Sequence, residues 1–310
     1  MTPFPCAALD ARVFATLPED LHYRGEPNEW VRVTRPGARL HSFLEAPRFD
    51  AQGTLWCVDV PYGRIFTIDA DGRWRLALEY DGQPHGLAHI GDGSAVIADY
   101  RHGLMRLTTA AGTIAGFCEG INSERFRGLG DIVRAANGDL WFTDPGRSSL
   151  TDPTGRVYCL RSGSTVPQLE LANVPYPNGV ALSPDGKFVF VAATRANAVW
   201  RLLADAPDPV FPMAGVHVQL SGGLGPDGLD VNAQGYLAVA HGQAGRVWLF
   251  DALGDPVARI RTPGGLWTTA VAFDAGGNRL FITEAQSATI YVAELEALLR
   301  EHCDHNEAFT

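Results

Sequence analysis

Three oxygen-bearing side chains that lie far apart in the sequence could together bind a hard divalent cation. Glu45 and Asp227 supply carboxylates, and Asn178 supplies an amide oxygen. Ca²⁺, Mg²⁺ and Mn²⁺ prefer such ligands. A second interpretation stays open, because Asn178 and Asp227 each precede a glycine, and Asx-Gly pairs often only build turns. Glu45 does not fit this second interpretation, since Glu before Ala-Pro is not a turn former.

A repeated unit of about 45 residues positions these side chains. Each copy contains a short polar motif, an apolar triplet, a turn that ends in glycine, and a hydrophobic strand. The position eight residues before each turn glycine recurs at spacings of 40, 45, 48, 49 and 42 residues. The turn glycines are Gly53, Gly93, Gly138, Gly186, Gly235 and Gly277. The six equivalent positions hold Glu45, His85, Gly130, Asn178, Asp227 and Thr269.

The elements within each unit read as short strands. The turn glycines suit tight hairpins with positive φ, and the flanking runs, such as residues 140–143 and 188–191, are β-branched and aromatic. Further strand-like pieces bring each unit to about four strands, which is typical of a propeller blade. We therefore predict an all-β fold, a six-bladed β-propeller that occupies residues 1–310 as a single domain.

The segments outside the repeat have predicted roles of their own. Residues 11–15 look like a strand that completes the last blade and removes a sheet edge. Residues 19–42 form a polar and aromatic extension that we expect to cover one face. A short helix is predicted at 295–300. We assign His302, Cys303 and His305 to a frayed tail rather than to a metal site.

The six equivalent positions should meet at the axis of the propeller. Innermost strands begin beside the central channel, so we expect all six residues to ring one of its mouths. His85 is the polar residue contributed by the second blade. It could contact substrate, donate a proton to a leaving alkoxide, bind the metal, or simply bond to the channel backbone.

Four short motifs occur together between about residues 45 and 285 and carry a resemblance. They are Glu45-Ala46-Pro47, Asp131 with Phe142-Thr143-Asp144-Pro145, Pro177-Asn178-Gly179 with Ser183-Pro184-Asp185-Gly186, and Pro226-Asp227-Gly228. As a set they resemble the senescence-marker-protein / gluconolactonase / luciferin-regenerating-enzyme family of propellers. In that family the first motif reads Glu-Gly-Pro.

This resemblance implies a lactonase-type hydrolase with one divalent metal ion held by Glu45, Asn178 and Asp227. The metal would polarise the ring carbonyl of a small lactone, a sugar-acid lactone being favoured, and Asp227 would assist the attacking water. The all-oxygen set favours Ca²⁺, with Mg²⁺ and Mn²⁺ as alternatives, whereas participation of His85 would shift the choice toward Zn²⁺ or Fe²⁺. We assign His85, Asp131 and Trp267 to substrate binding.

The chain departs from the family pattern at two positions. Gly130 stands where the family often has Asn, and His85 stands where gluconolactonase-like relatives often have Asn. These departures keep open the hydrolysis of a non-sugar cyclic or aryl ester at the same metal site. A separate alternative is a non-catalytic propeller that binds a ligand or a protein.

Composition excludes several other classes. The net charge of −10, from 35 acidic against 25 basic residues, argues against a nucleic-acid partner. The five cysteines are scattered without a C-x-x-C pair, so we expect reduced thiols and a cytoplasmic protein. The N-terminus has no basic region before an apolar stretch, and no apolar run approaches about 18 residues. We therefore expect neither a signal peptide nor a membrane partner.

Overall fold

A computed structural model describes residues 5–205 and 213–307 and contains six β-sheets of four or five strands. Each of these sheets is one blade, and its strands follow in sequence order from the inside outward, except that two strands from the N-terminus are the outermost strands of the fifth and sixth blades. The innermost strand of every blade contacts the innermost strand of the next, and that of the last blade contacts that of the first. The predicted six-bladed β-propeller is confirmed.

The strand and helix bounds are as follows. The chain begins with β1 (Ala7–Asp10), β2 (Arg12–Thr16) and α1 (Glu29–Thr34). Blade 1 is β3 (Leu44–Phe49), β4 (Leu55–Asp59), β5 (Arg64–Ile68) and β6 (Trp74–Glu79). Blade 2 is β7 (Pro84–Gly91), β8 (Ser94–Asp99), β9 (Gly103–Thr108) and β10 (Thr113–Cys118), followed by a small hairpin of β11 (Gly120–Ile121) and β12 (Glu124–Arg125). Blade 3 is β13 (Ile132–Arg134), β14 (Leu140–Asp144), β15 (Gly155–Leu160) and β16 (Gln168–Val174). Blade 4 is β17 (Pro177–Leu182), β18 (Phe188–Ala193), β19 (Ala198–Leu203) and β20 (Gly215–Gln219). Blade 5 is β21 (Gly225–Val231), β22 (Leu237–Gly242), β23 (Arg246–Phe250) and β24 (Pro256–Arg261). Blade 6 is β25 (Thr268–Phe273), β26 (Arg279–Glu284) and β27 (Thr289–Glu294), and α2 (Glu296–Glu307) follows it. Single turns of 3₁₀ helix span Glu19–Leu21, Val60–Tyr62 and Thr194–Ala196.

The turn after the first strand of each blade explains why the sequence repeats. All six predicted turn glycines have positive φ, between 69° and 91°. In blade 1, Asp50 Oδ1 accepts hydrogen bonds from the N–H groups of Gln52 and Thr54, both at 2.9 Å. Gly53 then reverses the chain at φ 81°, where a side chain would be strained. An Asp followed three residues later by Gly is therefore enough to set this hairpin locally.

The N-terminal segment fastens two neighbouring blades. β2 pairs antiparallel with β27, with Val13 opposite Tyr291, and becomes the fourth strand of blade 6. This confirms the predicted closure of the last blade. β1 was not predicted; it pairs parallel with β24, with Ala7 opposite Ala258, and adds a fifth strand to blade 5. Both outer sheet edges are thereby covered.

The C-terminal helix is longer and better anchored than the sequence indicated. α2 continues through the residues that we assigned to a frayed tail. His302 is 4% exposed, and its Nδ1 lies 2.8 Å from the hydroxyl of Tyr236. Leu295 and Leu299 pack in the same apolar cluster as Tyr236. The expectation of a frayed tail was wrong, because the apolar face of α2 packs on blades 5 and 6.

Apolar side chains fill the spaces between neighbouring blades. Trp141 of blade 3, for example, is buried against Val180 and Val191 of blade 4. Because the sheets pack face to face in this way, the polar ends of their inner strands are left around the channel. Neither helix in the described residues is long and apolar enough to cross a membrane.

Candidate functional site

A cleft of about 1400 Å³ opens at the mouth of the channel where the inner strands begin. Four of the six equivalent positions line it: Glu45, His85, Asn178 and Asp227. Seven residues of the N-terminal extension, between Tyr23 and Arg35, line it as well. The extension therefore forms part of the wall of the site.

The other two equivalent positions do not line the cleft, so the expected ring of six residues is wrong in this respect. The Thr269 hydroxyl is 1% exposed and donates to Leu44 O at 2.6 Å, so it joins blade 6 to blade 1. Gly130 has no room for a side chain, since a Cβ there would lie 2.9 Å from Thr143 Oγ1 and 3.2 Å from Pro145 Cγ. The space that the family's Asn would need is filled by these two residues.

Buried acids hold the backbone that leads into the inner strands. In four blades the second strand ends at or beside a fully buried carboxylate, which accepts a hydrogen bond from an N–H just before the first strand of the same blade. The pairs are Asp59 with Phe43, Asp99 with Gln83, Asp144 with Gly128, and Glu284 with Trp267. This acidic residue recurs visibly in the sequence, but sequence reasoning did not recognise its role. In blades 1 and 2 it fixes the backbone just before the two equivalent residues that line the cleft, Glu45 and His85.

The three proposed metal ligands approach one another from blades 1, 4 and 5. Asn178 Nδ2 donates to Asp227 Oδ1 at 2.5 Å. Within the described ranges Asn178 Oδ1 accepts no hydrogen bond, which leaves it available as a ligand. Burial and the negative charges of Glu45 and Asp131 raise the pKa of Asp227 well above its usual range. A cation placed among these carboxylates would relieve their repulsion.

Threonine hydroxyl groups from the preceding blades fix the backbone at each proposed ligand. Thr143 donates to the carbonyl oxygen of Asn178 itself, Thr194 to that of Pro226, and Thr269 to that of Leu44. Pro226 and Leu44 directly precede Asp227 and Glu45. All three threonines are at most 2% exposed. We call Thr143, Thr194 and Thr269 the threonine bridges, since each ties one blade to the ligand of the next.

His85 contacts one of the proposed ligands. Its Nδ1 lies 3.0 Å from Glu45 Oε2, and both side chains are 14% exposed. Burial alone would lower the pKa of His85, but the charge of Glu45 and its hydrogen bond outweigh burial, so the pKa lies above its ordinary value. The buried Nε2 atom has no hydrogen-bond partner among the described residues. His85 can therefore orient Glu45 while its second nitrogen remains free.

Two residues beside the ligands have unusual backbone conformations. Ala46 directly follows Glu45 and has a φ of 48°, and Tyr176 lies two residues before Asn178 with a φ of 61°. Residues with a side chain rarely adopt this region, and each costs about 1–2 kcal/mol there. The positive φ at Ala46 explains why the family has glycine at this position of its Glu-Gly-Pro motif, because glycine adopts such a φ without strain. Strained backbone thus lies beside two of the three ligands.

Asp131 lies below the cleft rather than in its lining. Its carboxylate accepts hydrogen bonds from the N–H groups of Ile132 at 2.8 Å and Val180 at 3.1 Å, and Arg48 Nη2 lies 3.4 Å away. These contacts join blade 3 to blade 4. Asp131 acts on the site through its charge, which helps to raise the pKa values of Asp227 and His85.

Trp267 lines the cleft as predicted, and Arg35 of the extension stacks on it. The guanidinium carbon of Arg35 lies 3.5 Å from the centre of a Trp267 ring and 5.0 Å from that of Phe43. Burial lowers the pKa of Arg35, although Glu45 and Asp227 act in the opposite direction. Sequence reasoning missed Arg35, because it lies outside the repeat and no local pattern indicates where the extension packs.

Comparison with known proteins agrees with this architecture. A family model of the SMP-30/Gluconolactonase/LRE-like region matches residues 43–286. The chain belongs to this family. It is 28% identical over 267 residues to the lactonase drp35 of Staphylococcus aureus, a match that covers 82% of this chain and 80% of that protein.

Solved structures of SMP-30/gluconolactonase/LRE-like and related propellers superpose on it. A gluconolactonase from Xanthomonas campestris is 25% identical with a TM-score of 0.72, covering 82% of this chain and 86% of its own. Regucalcin from Agrobacterium tumefaciens, described as a calcium-binding protein, shares the fold with a TM-score of 0.72 at 23% identity, covering 93% and 94% of the two chains. The family match begins at residue 43, so the extension with Arg35 lies outside it.

The donor set of this SMP-30/gluconolactonase/LRE-like protein fits a hard cation. Within residues 5–205 and 213–307, no group of three or more His, Cys, Asp and Glu side chains is arranged to hold a metal ion. A metal site in this cleft would therefore need a ligand beyond these residue types, such as the amide oxygen of Asn178 beside the two carboxylates. Such an all-oxygen set suits Ca²⁺, Mg²⁺ or Mn²⁺, with water and substrate completing the coordination.

Proposed function

We propose that this protein opens the ring of a small lactone by hydrolysis and uses one divalent metal ion, with Ca²⁺ favoured. The observation that carries the proposal is the convergence of Glu45, Asn178 and Asp227 in one cleft, where burial and neighbouring carboxylates disfavour the charged form of Asp227. The curated lactonases and the gluconolactonase to which the chain is similar support lactone hydrolysis.

Each residue of the cleft would have its own role in the reaction. Glu45, Asn178 and Asp227 would hold the ion, which when bound supplies a Lewis acid for the carbonyl and lowers the pKa of water. Asp227 takes the proton of the attacking water. His85 holds Glu45 in position through Nδ1, and its free Nε2 is available to bind substrate. Trp267 supplies an apolar wall.

A sugar-acid lactone is the favoured substrate, and a cyclic aryl ester is the second candidate. The walls give a specific reason for the second candidate, since aromatic rings make up much of the lining. These rings belong to Tyr23, Trp30, Phe43, Tyr62, Tyr80, Tyr100, Tyr176 and Trp267. They can stack on an aromatic lactone. The packing around Gly130 also leaves no room for the family's Asn, whose amide would bind a sugar hydroxyl.

The proposal is tested by metal analysis and a lactone assay on the same preparation. The purified protein is stripped with chelator, reloaded with Ca²⁺, Mg²⁺, Mn²⁺ or Zn²⁺, and assayed by proton release on one sugar-acid lactone and one aryl lactone. Glu45→Gln and Asp227→Asn should each lower kcat/KM by about 10²- to 10⁴-fold. Glu29→Gln serves as the matched control, because Glu29 lines the same cleft outside the metal set.

Each outcome bears on a separate part of the proposal. Turnover that survives complete removal of metal would overturn metal dependence, and an equal loss in Glu29→Gln would overturn the assigned ligand set. If the reloaded protein opens neither lactone, lactone hydrolysis fails. Circular dichroism spectra of the variants must match that of the parent protein, so that loss of fold is excluded.

A further inference from the structure

The cleft contains arginines without acidic partners. Of its four arginines, Arg101 is paired with Asp81. Among the residues that the structure describes, no carboxylate oxygen lies within 4.0 Å of a side-chain nitrogen of Arg35, Arg147 or Arg195. Buried arginines elsewhere in the propeller are paired, as Arg64 is with Asp59. Three arginines without an acidic partner among the described residues thus line the site.

A bound divalent ion would increase this excess of positive charge. Four carboxylates line the cleft, and two of them, Glu45 and Asp227, belong to the proposed metal set. Once a divalent cation neutralises those two, only Glu29 and Asp81 remain to balance the four arginines. The metal-loaded cleft would therefore attract anions, although the whole chain carries a net charge of −10.

Arg147 and Arg195 flank one segment of backbone directly before the ligand Asn178. Ser148, next to Arg147, accepts a hydrogen bond at Oγ from the N–H of Tyr176 at 3.1 Å. The N–H of Arg195 bonds to Pro175 O at 3.1 Å, and its guanidinium carbon lies 5.4 Å from the Tyr176 ring centre. Both arginines are exposed, and hydrogen bonds from Arg195 and from Ser148, the neighbour of Arg147, connect them to the segment that carries the ligand.

Arg35 faces the site from the wall formed by Trp267 and Phe43. Its stacking on these two rings leaves the edge of the guanidinium available for hydrogen bonds. Arg35 thus adds a third unpaired cation on the side of blades 6 and 1, whereas Arg147 and Arg195 follow β14 and β18 on the side of blades 3 and 4.

We propose that the substrate is a lactone that carries a carboxylate group, and that Arg147 and Arg195 bind this carboxylate. The inference rests on the proposed lactone hydrolysis and narrows its substrate class. Guanidinium groups match carboxylates in shape and charge. Water adds to the lactone carbonyl, the acyl–oxygen bond breaks, and the ring oxygen takes a proton, so the product is a hydroxy acid with two carboxylates.

The test compares two lactones that differ only in charge. γ-Butyrolactone-γ-carboxylate and the corresponding carboxamide are assayed with the metal-loaded protein at low and high NaCl. We expect kcat/KM to be at least about 10-fold higher for the carboxylate, and the preference to shrink with salt, since exposed charges are screened. In the double variant Arg147→Gln, Arg195→Gln the ratio of the two kcat/KM values should fall toward one.

A control variant and a binding measurement separate the possible failures. Arg75→Gln removes an exposed arginine from β6, outside the cleft, and should leave the ratio unchanged. Calorimetric binding of the ring-opened dicarboxylate should weaken about 10-fold in the double variant. If the protein hydrolyses both lactones equally well and the double variant binds the dicarboxylate normally, the carboxylate inference is overturned while lactone hydrolysis stands. If it hydrolyses neither lactone nor any lactone of the earlier panel, the proposed function fails first.

Discussion

The threonine bridge at Thr143 gives the sharpest test of how the fold positions the proposed metal ligands. Thr143 Oγ1 donates to Asn178 O at 2.7 Å and accepts from the N–H of Asp131 at 2.9 Å. The side chain is 0% exposed. Thr143→Val keeps its shape but removes both hydrogen bonds, so two backbone groups in the joint between blades 3 and 4 lose their partner.

The magnitude follows from these two groups. An unsatisfied buried donor or acceptor costs about 1–3 kcal/mol, so for two such groups we expect the free energy of unfolding to fall by about 2–6 kcal/mol. At roughly 2–4 °C per kcal/mol, the melting temperature should fall by about 4–24 °C. The carbonyl that loses its anchor belongs to Asn178, so metal affinity should also fall, by about 10- to 100-fold as is typical when the partner of a metal ligand is removed.

The assay pairs calorimetric melting in chelator with a Ca²⁺ titration of the folded protein. Thr289→Val is the matched control. Thr289 is also buried, at 3% exposed, and its hydroxyl donates to a backbone carbonyl, that of Ser287 at 3.1 Å, but it lies on β27 outside the cleft. We expect Thr289→Val to lose stability as well and to keep its affinity for Ca²⁺. Equal Ca²⁺ affinity in Thr143→Val and the parent protein would refute the positioning role.

Three further predictions concern the scaffold. Arg64→Met should cost about 3–5 kcal/mol in urea denaturation, because it leaves the buried Asp59 unpaired. It should also expose residues 22–40 to limited proteolysis, because Arg64 donates to the carbonyl oxygens of Leu21 and His41 at the two ends of the extension; resistance equal to the parent protein would contradict this. Burial lowers the pKa of His241, whose Nδ1 accepts from Trp248 Nε1 at 3.2 Å. The unfolded chain therefore binds the proton more readily, and stability should fall as the pH drops below about 6.5. His241→Gln should show a smaller difference in melting temperature between pH 7.5 and 5.5, and an unchanged difference would count against His241. Finally, a chain without residues 1–17 should aggregate in size-exclusion chromatography, because blade 6 loses its fourth strand and the edge of β27 is uncovered. A chain without residues 1–10 loses only the fifth strand of blade 5, which keeps four strands like the other blades, and should stay monodisperse.

Local signals explain how much of the fold the sequence predicts. Asp50 and Gly53 form a turn through contacts within five residues, so each hairpin is encoded where it occurs. The repetition of that turn gave the number of blades. β1 escaped prediction because Ala7–Asp10 has no strand pattern of its own and is held by a partner about 250 residues away.

Part of the candidate site could be predicted for the same reason. Glu45, Asn178 and Asp227 occupy equivalent positions of the repeat, and the structure brings all three into one cleft. Gly130 and Thr269 share the position but lie outside the cleft, Gly130 against Thr143 and Pro145 of its own blade and Thr269 against Leu44 of the next, a difference that depends on side-chain packing rather than on spacing. The ligand roles, the single domain over residues 1–310 and the cytoplasmic location remain predictions.

The sequence by itself determined the period and the hairpins, because these follow from local turn chemistry and alternation, and it placed the candidate oxygen ligands at equivalent positions of the repeat. Only the tertiary structure decided what surrounds those ligands. The bridge from Thr269 to Leu44 spans 225 residues. Arg35 reaches Trp267 from an extension with no repeat, and Arg147 and Arg195 are left without acidic partners by the way two loops pack. Such contacts depend on how distant segments meet in space, and no local pattern specifies that.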